Sequence, residues 1–136
     1  MTRTNISTGS KLEDEYGYSR AVRIGNTIKV SGTCATDPEG NTVGAGDVTQ
    51  QVARCFEIIS TALEGAGATL GDIVINRIYL TNIEDAQAAG SAHGAIFAEV
   101  KPACTMMAVG ALVRPDFLVE IECEAVLPDD SDATTH

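Results

Sequence analysis

Within LVEIECEAV, residues 118–126, apolar and acidic side chains alternate without a break from Val119 to Ala125. A period of two marks a β-strand with one buried face, because successive side chains leave a pleated strand on opposite sides. Val119, Ile121, Cys123 and Ala125 must share a core face, and Glu120, Glu122 and Glu124 stack on the other. The rest of the chain therefore has to supply a sheet for this strand to join and a layer to cover its apolar side.

Both are legible upstream. SRAVRIGNTIKVSG reads as a hairpin turning at Gly25-Asn26, with Val22 and Ile24 alternating on one strand and Ile28 and Val30 on the next. A loop rich in Gly, Asp and Pro follows. Asp47 is placed to cap a helix in which Val48, Val52, Cys55 or Phe56, Ile59 and Leu63 recur at helical spacing until Gly65 and Gly67 stop it. GDIVINRIYLTNI is a buried strand by its β-branched content, and an alanine-rich helix is predicted over 84–99, ended by Pro102. Strands over 105–112 and 117–127 close the chain. The order ββαβαββ defines an α+β fold with some parallel pairing through right-handed crossovers and both helices on one face of the sheet. Two helices cannot cover both faces, so the bare face, which still carries apolar side chains, is expected to meet other copies of the chain.

The chain has 136 residues, enough for one core, so a single domain is expected over 1–128 with a flexible acidic tail over 129–136. Its net charge of −10, with nine Lys and Arg in no stripe, disfavours nucleic acid and anionic membrane surfaces as partners. No apolar run is long enough to span a bilayer, and the N-terminal residues lack the apolar segment of a secretory signal, so a cytoplasmic location is expected.

Chemistry-bearing motifs are few. Cys34, Cys55, Cys104 and Cys123 are widely and irregularly spaced, His93 and His136 are the only histidines, and neither CxxC nor HExxH occurs. No metal site is expected, and the thiols should be reduced. There is no phosphate-cradling glycine motif and no GxSxG elbow. His93, alone on an alanine-rich helix, is either a packing or surface residue or a base. Glu120 is either part of a solvated sheet face or, if it faces a cleft between copies, a partly desolvated carboxylate suited to general-base work.

Three segments together, GYSRAVRIGNTIKVSG with its DP-G loop, GDIVINRIYLTNIEDA, and KPACTMMAVGAL…LVEIECEAV, closely resemble the RidA (YjgF, reactive-intermediate deaminase) family from about Tyr18 to Leu127. The specific part is Pro-Ala-x-Thr/Ser followed by a hydrophobic strand and Leu-Val-Glu-Ile-Glu. The resemblance implies a chorismate-mutase-like fold, a homotrimer with intersubunit clefts, and cofactor-free hydrolysis of small enamines and imines. It assigns the cleft to Tyr18, Gly32, position 104 and Glu120, with Glu120 positioning the attacking water. Tyr18 and Glu120 are thus the catalytic candidates, and Gly32, Cys104, Thr105, Arg20 and His93 the substrate-binding ones.

At position 104 the family carries an arginine that clamps the substrate carboxylate through two prongs. Cys104 is a departure from that pattern. A thiol cannot make such a contact, which is worth roughly 1.5–3 kcal/mol per charged hydrogen bond. Cys104 is either a small cleft-lining residue or a nucleophile, and the second needs a nearby cation or helix N-terminus to depress its pKa. Arg20 and Arg77 are the remaining candidate anion-binding residues, unless their stems merely cover the surface. The reading is a small-molecule hydrolase or deaminase acting on an imine, enamine or related carbonyl compound; the alternative is a non-catalytic ligand-binding or regulatory trimer. An endoribonuclease fits poorly with so acidic a chain.

Overall fold

The computed structural model describes residues 2–129; the expected acidic tail lies, from residue 130 onward, outside them. The described chain runs β1 (Arg3–Ile6), α1 (Lys11–Tyr16), β2 (Ala21–Ile24), β3 (Thr27–Thr33), α2 (Val48–Gly65), β4 (Ile73–Leu80), α3 (Ala86–Phe97), β5 (Ala103–Ala108) and β6 (Val119–Val126). The ββαβαββ order is present, from β2 to β6. The sheet order is β1-β2-β3-β6-β4-β5, so the final strand is inserted at the centre, antiparallel to both β3 and β4. β4 and β5, joined through α3, pair in parallel.

Local chemistry explains the elements. Gly25, at φ 59°, supplies the left-handed residue of the β2–β3 turn, where Ile24 faces Thr27. The Asp47 carboxylate accepts from the Gln50 backbone N–H at 3.2 Å and so caps α2. α2 then lays Val52, Cys55, Phe56, Ile59 and Leu63 onto the sheet, all buried, against Ile28 and Val30 of β3, Ile78 and Leu80 of β4, and Val119, Ile121, Cys123 and Ala125 of β6. α3 joins the same layer through Phe97, whose ring lies 4.9 Å from that of Phe56.

Two elements lie outside the sequence reading. β1 adds an edge strand to β2, and α1 is a short helix made by the Ser10 cap and left-handed Gly17. β5 also begins sooner than the expected residue 105, directly after Pro102, because an edge strand that pairs only with β4 tolerates a proline at its entry.

Among the described residues, the helix packed on β6 is α2, on the core face, and the acidic side chains of β6 occupy the opposite face. Glu120, Glu122 and Glu124 lie there with Ile75, Arg77 and Tyr79 of β4 and Thr105 and Met107 of β5, as the pairing register requires. Its charges are largely matched: Glu124 takes Lys29 at 2.8 Å on one oxygen and Arg77 at 2.8 Å on the other, and Tyr79 donates to Glu122. The hydrogen bonds from Lys29 and Arg77 hold the Glu124 carboxyl below its ordinary range.

Candidate active site

Glu120 sits near the start of β6, on the open face. Its position is fixed from behind by Gln51, a fully buried side chain on α2. The Gln51 carbonyl oxygen accepts from the Leu118 N–H at 2.9 Å, and its amide nitrogen donates to the Asp116 carbonyl at 2.9 Å and the Gly44 carbonyl at 3.2 Å. One amide thus ties the loop entering β6 to the loop entering α2.

In front of Glu120 the partner strand is irregular. The β3–β6 register shifts between Val30 and Thr33. The segment ahead of β2 is stitched to this irregularity: the Ser31 hydroxyl donates to the Ser19 carbonyl at 2.7 Å, the Ser31 N–H to the Arg20 carbonyl at 2.9 Å, and Arg20 Nη2 to the Gly32 carbonyl at 2.6 Å. Gly32 is essential to the geometry for a steric reason. A Cβ there would stand 2.5 Å from Glu120 Oε2 and 2.9 Å from its Cδ, so the carboxylate lies directly against glycine backbone. The other oxygen, Oε1, accepts from the Cys34 thiol at 3.3 Å. Arg20 lies 5.7 Å over the Tyr18 ring, and its Nε is buried with no hydrogen-bond partner.

Tyr18, Arg20, Gly32 and Glu120 therefore converge, and Cys34 joins them. Burial first, and the adjacent Glu120 second, push the Cys34 thiol far above its ordinary range, so it stays a protonated donor. Cys55 lies on the core side below, its thiol donating to the Thr33 carbonyl at 3.3 Å and pushed up to about 12 by burial.

The remaining candidates are elsewhere in the protomer. Cys104 pairs with Asn76 in the parallel register and so shares the helix-covered face, while Glu120 pairs with Tyr79 on the open one. Cys104 is exposed in the protomer, and desolvation raises its thiol, the opposite of what a nucleophile needs. His93 stands against Asn76, whose Nδ2 donates to His93 Nε2 at 3.0 Å, and its ring stacks 4.7 Å from Phe97. Burial lowers the His93 pKa and so favours the neutral imidazole. Thr105 pairs with Arg77 on the open face, separated from Glu120 by β4. Arg77 is engaged with Glu124. Among the described residues no group of three or more His, Cys, Asp and Glu side chains could hold a metal ion, and no helix is long and apolar enough to cross a membrane.

Sequence reasoning missed Cys34 and Gln51. Each makes its decisive contact with a residue far away in the chain, and neither belongs to a motif.

The geometry defines a mixed α+β protein with a strand-borne carboxylate held against glycine backbone. The chain matches the model of the family described as Endoribonuclease L-PSP over residues 8–127. It is 37% identical over 108 residues to a RutC family protein of Pyrococcus abyssi, covering 79% of this chain and 84% of that protein. It is 35% identical over 104 residues to a protein of Acinetobacter baylyi named 3-aminoacrylate deaminase RutC, covering 76% of this chain and 82% of that one. Among solved structures, a Mycobacterium tuberculosis member of the YjgF/YER057c/UK114 family superposes with a TM-score of 0.84 at 40% identity, covering 93% of this chain and 100% of that one. The chain belongs to the RidA (YjgF, L-PSP) family.

Proposed function

We propose that this protein hydrolyses the C=N bond of a small imine, or of the imine tautomer of an enamine, releasing the carbonyl compound and ammonia. The observation that carries the reading is the Glu120 carboxylate, held against Gly32, whose carbonyl takes Arg20, itself over the Tyr18 ring. Its family membership and the relative named as a 3-aminoacrylate deaminase agree with this chemistry.

In the proposed reaction Glu120 accepts a proton from water as the oxygen attacks the imine carbon. The electron pair of the C=N bond moves to nitrogen, to which Glu120 returns that proton. The carbinolamine hydroxyl then passes its proton by way of Glu120 to the nitrogen, the carbonyl forms, and the C–N bond breaks to release ammonia. Gly32, Arg20 and Tyr18 hold the substrate, and the reaction calls for no cofactor. The site is completed between copies in a cytoplasmic homotrimer, with the bare sheet face at its centre. A net charge of −10 disfavours nucleic acid as the partner, because binding it rests on neutralising phosphates.

A second reading, a ligand-binding trimer without turnover, is favoured by one observation: Cys104 stands where the resemblance places the carboxylate clamp. Glu120→Ala separates the two. Imines are generated in situ by an amino-acid or amine oxidase, and the fraction escaping semicarbazide trapping is measured. Loss of turnover by roughly two orders of magnitude or more in Glu120→Ala supports the enzyme. Absence of turnover in the wild type across the panel leaves the binding module.

A further inference from the structure

We infer that Cys34 is a positioning residue for Glu120: its S–H group selects the orientation in which the carboxylate faces the site. The inference rests on the function proposed above only for its catalytic consequence.

Three features carry it. Glu120 is a long side chain on a half-open sheet face, and nothing in its own strand restricts its terminal torsion, which is broad for such groups. Two contacts hold the carboxylate, one on each oxygen. Oε2 rests against the Gly32 backbone, and Oε1 accepts from Cys34 Sγ at 3.3 Å. Neither Lys29 nor Arg77, the cations of that face, reaches Glu120, because both are engaged with Glu124. Arg20 spends Nη2 on the Gly32 carbonyl. The thiol is thus the donor that holds one carboxylate oxygen in place.

Cysteine suits this task in a way that lysine does not. Buried and beside a carboxylate, the thiol stays protonated, so the contact keeps a neutral donor over the physiological range. As a weak donor it orients the carboxylate while leaving it basic enough to accept a proton from water. The core places the thiol: Thr33, next in the chain, is fully buried and its carbonyl takes the Cys55 thiol, which fixes the backbone from which Cys34 projects.

The test needs no substrate for its first arm. Infrared spectra of the wild type minus Cys34→Val isolate the Cys34 S–H stretch, which lies in a window free of other protein bands. A thiol donating to a carboxylate shows a lowered, intensified band, and Glu120→Ala should return it to the frequency of an unbonded thiol. A band that Glu120→Ala does not move overturns the inference. The second arm is kinetic. Cys34→Val should lower kcat roughly ten-fold with KM little changed, the scale of one hydrogen bond to a charged group. Cys34→Ser, which restores a donor, should recover most of that loss. Equal kcat in Cys34→Val and wild type overturns the inference even if the band shifts. If the wild type turns over no imine, the proposed reaction fails, and the infrared arm together with a crystal structure of Cys34→Val decides the positioning role. A Glu120 carboxylate that keeps its orientation in that variant refutes it.

Discussion

Gly32→Ala tests the core of the site with a single methyl group. The Gly32 φ angle does not lie in the left-handed region, so alanine meets no backbone penalty there. The methyl would stand 2.5 Å from Glu120 Oε2, and to reach ordinary contact at 3.4 Å the oxygen has to retreat by about 0.9 Å. The carboxylate is the far end of a flexible side chain, so the retreat costs only about 0.5–1.5 kcal/mol of rotamer strain. Most of that is offset by the roughly 0.4–1 kcal/mol gained when alanine replaces glycine in the unfolded chain. Stability should therefore change by less than about 1 kcal/mol, read as an almost unshifted thermal melt. Turnover should fall far more. Displacing a catalytic group by about 1 Å can cost roughly 100-fold, so kcat in the semicarbazide-trapping assay is expected to drop by about that factor while the fold persists. A Gly32→Ala protein that keeps the wild-type kcat would refute the placement of Glu120 at the reacting centre. One that unfolds would refute the assignment of the strain to a soft side-chain end.

Two further outcomes follow from the same geometry. Arg20 donates Nη2 to the Gly32 carbonyl and buries Nε, so it has no free pair of prongs to replace the family clamp. 2-Iminopropionate should accordingly be turned over orders of magnitude more slowly than by a relative with arginine at the position of Cys104, and Cys104→Arg should raise the rate; wild-type turnover matching such a relative would show that another cation holds the carboxylate. For His93 the lowered pKa means that the unfolded chain takes up a proton at higher pH than the folded one. The contribution of His93 to stability is complete above the unfolded value of about 6.5 and declines as pH falls below it, with a slope of at most about 1.4 kcal/mol per pH unit. In His93→Gln, which keeps an acceptor for Asn76, the loss of melting temperature between about pH 7 and pH 5.5 should be smaller than in the wild type; an identical decline would remove His93 as its cause.

How much of this could be read from the chain depends on the distance over which each feature is encoded. The alternation in LVEIECEAV fixes the burial of β6 residue by residue, from Val119 to Ala125, because strand periodicity is a local property. The Asp47 cap and the Gly25-Asn26 turn are local as well, and both stand where their residue types put them. β1 is different: RTNI has one apolar residue and no alternation, and it is a strand only because β2 offers it an edge. The insertion of β6 between β3 and β4 is likewise invisible locally, since any of several strand orders buries the same face. The site divides along the same line. Alternation shows Glu120 facing away from the core, alike with Glu122 and Glu124, and it is the family resemblance that singles it out. Gln51 occupies a core-facing position of α2 that periodicity reserves for an apolar residue, and only the folded chain shows the three backbone groups it satisfies.

The pairing register also decides whether one copy of the chain can be complete. Cys104 lies opposite Asn76 and Glu120 opposite Tyr79, and positions 76 and 79 of one strand differ by an odd number. Their side chains therefore leave the sheet on opposite faces, a parity that no side-chain rotation can change. A small molecule that touches both must take Cys104 from one copy and Glu120 from another. This can be tested by complementation. Glu120→Ala removes the carboxylate and Cys104→Trp fills the cleft, so each variant alone should be inactive on whichever imine the wild type hydrolyses. Refolded together in equal amounts as random trimers, about one site in four would combine an intact Cys104 from one copy with an intact Glu120 from its neighbour, and roughly a quarter of the wild-type activity should return. Light scattering on the mixture should give the mass of three chains. Recovery of no activity from trimers of that mass would show that a single copy supplies both residues, against the parity argument, and full activity in Cys104→Trp alone would remove position 104 from the cleft.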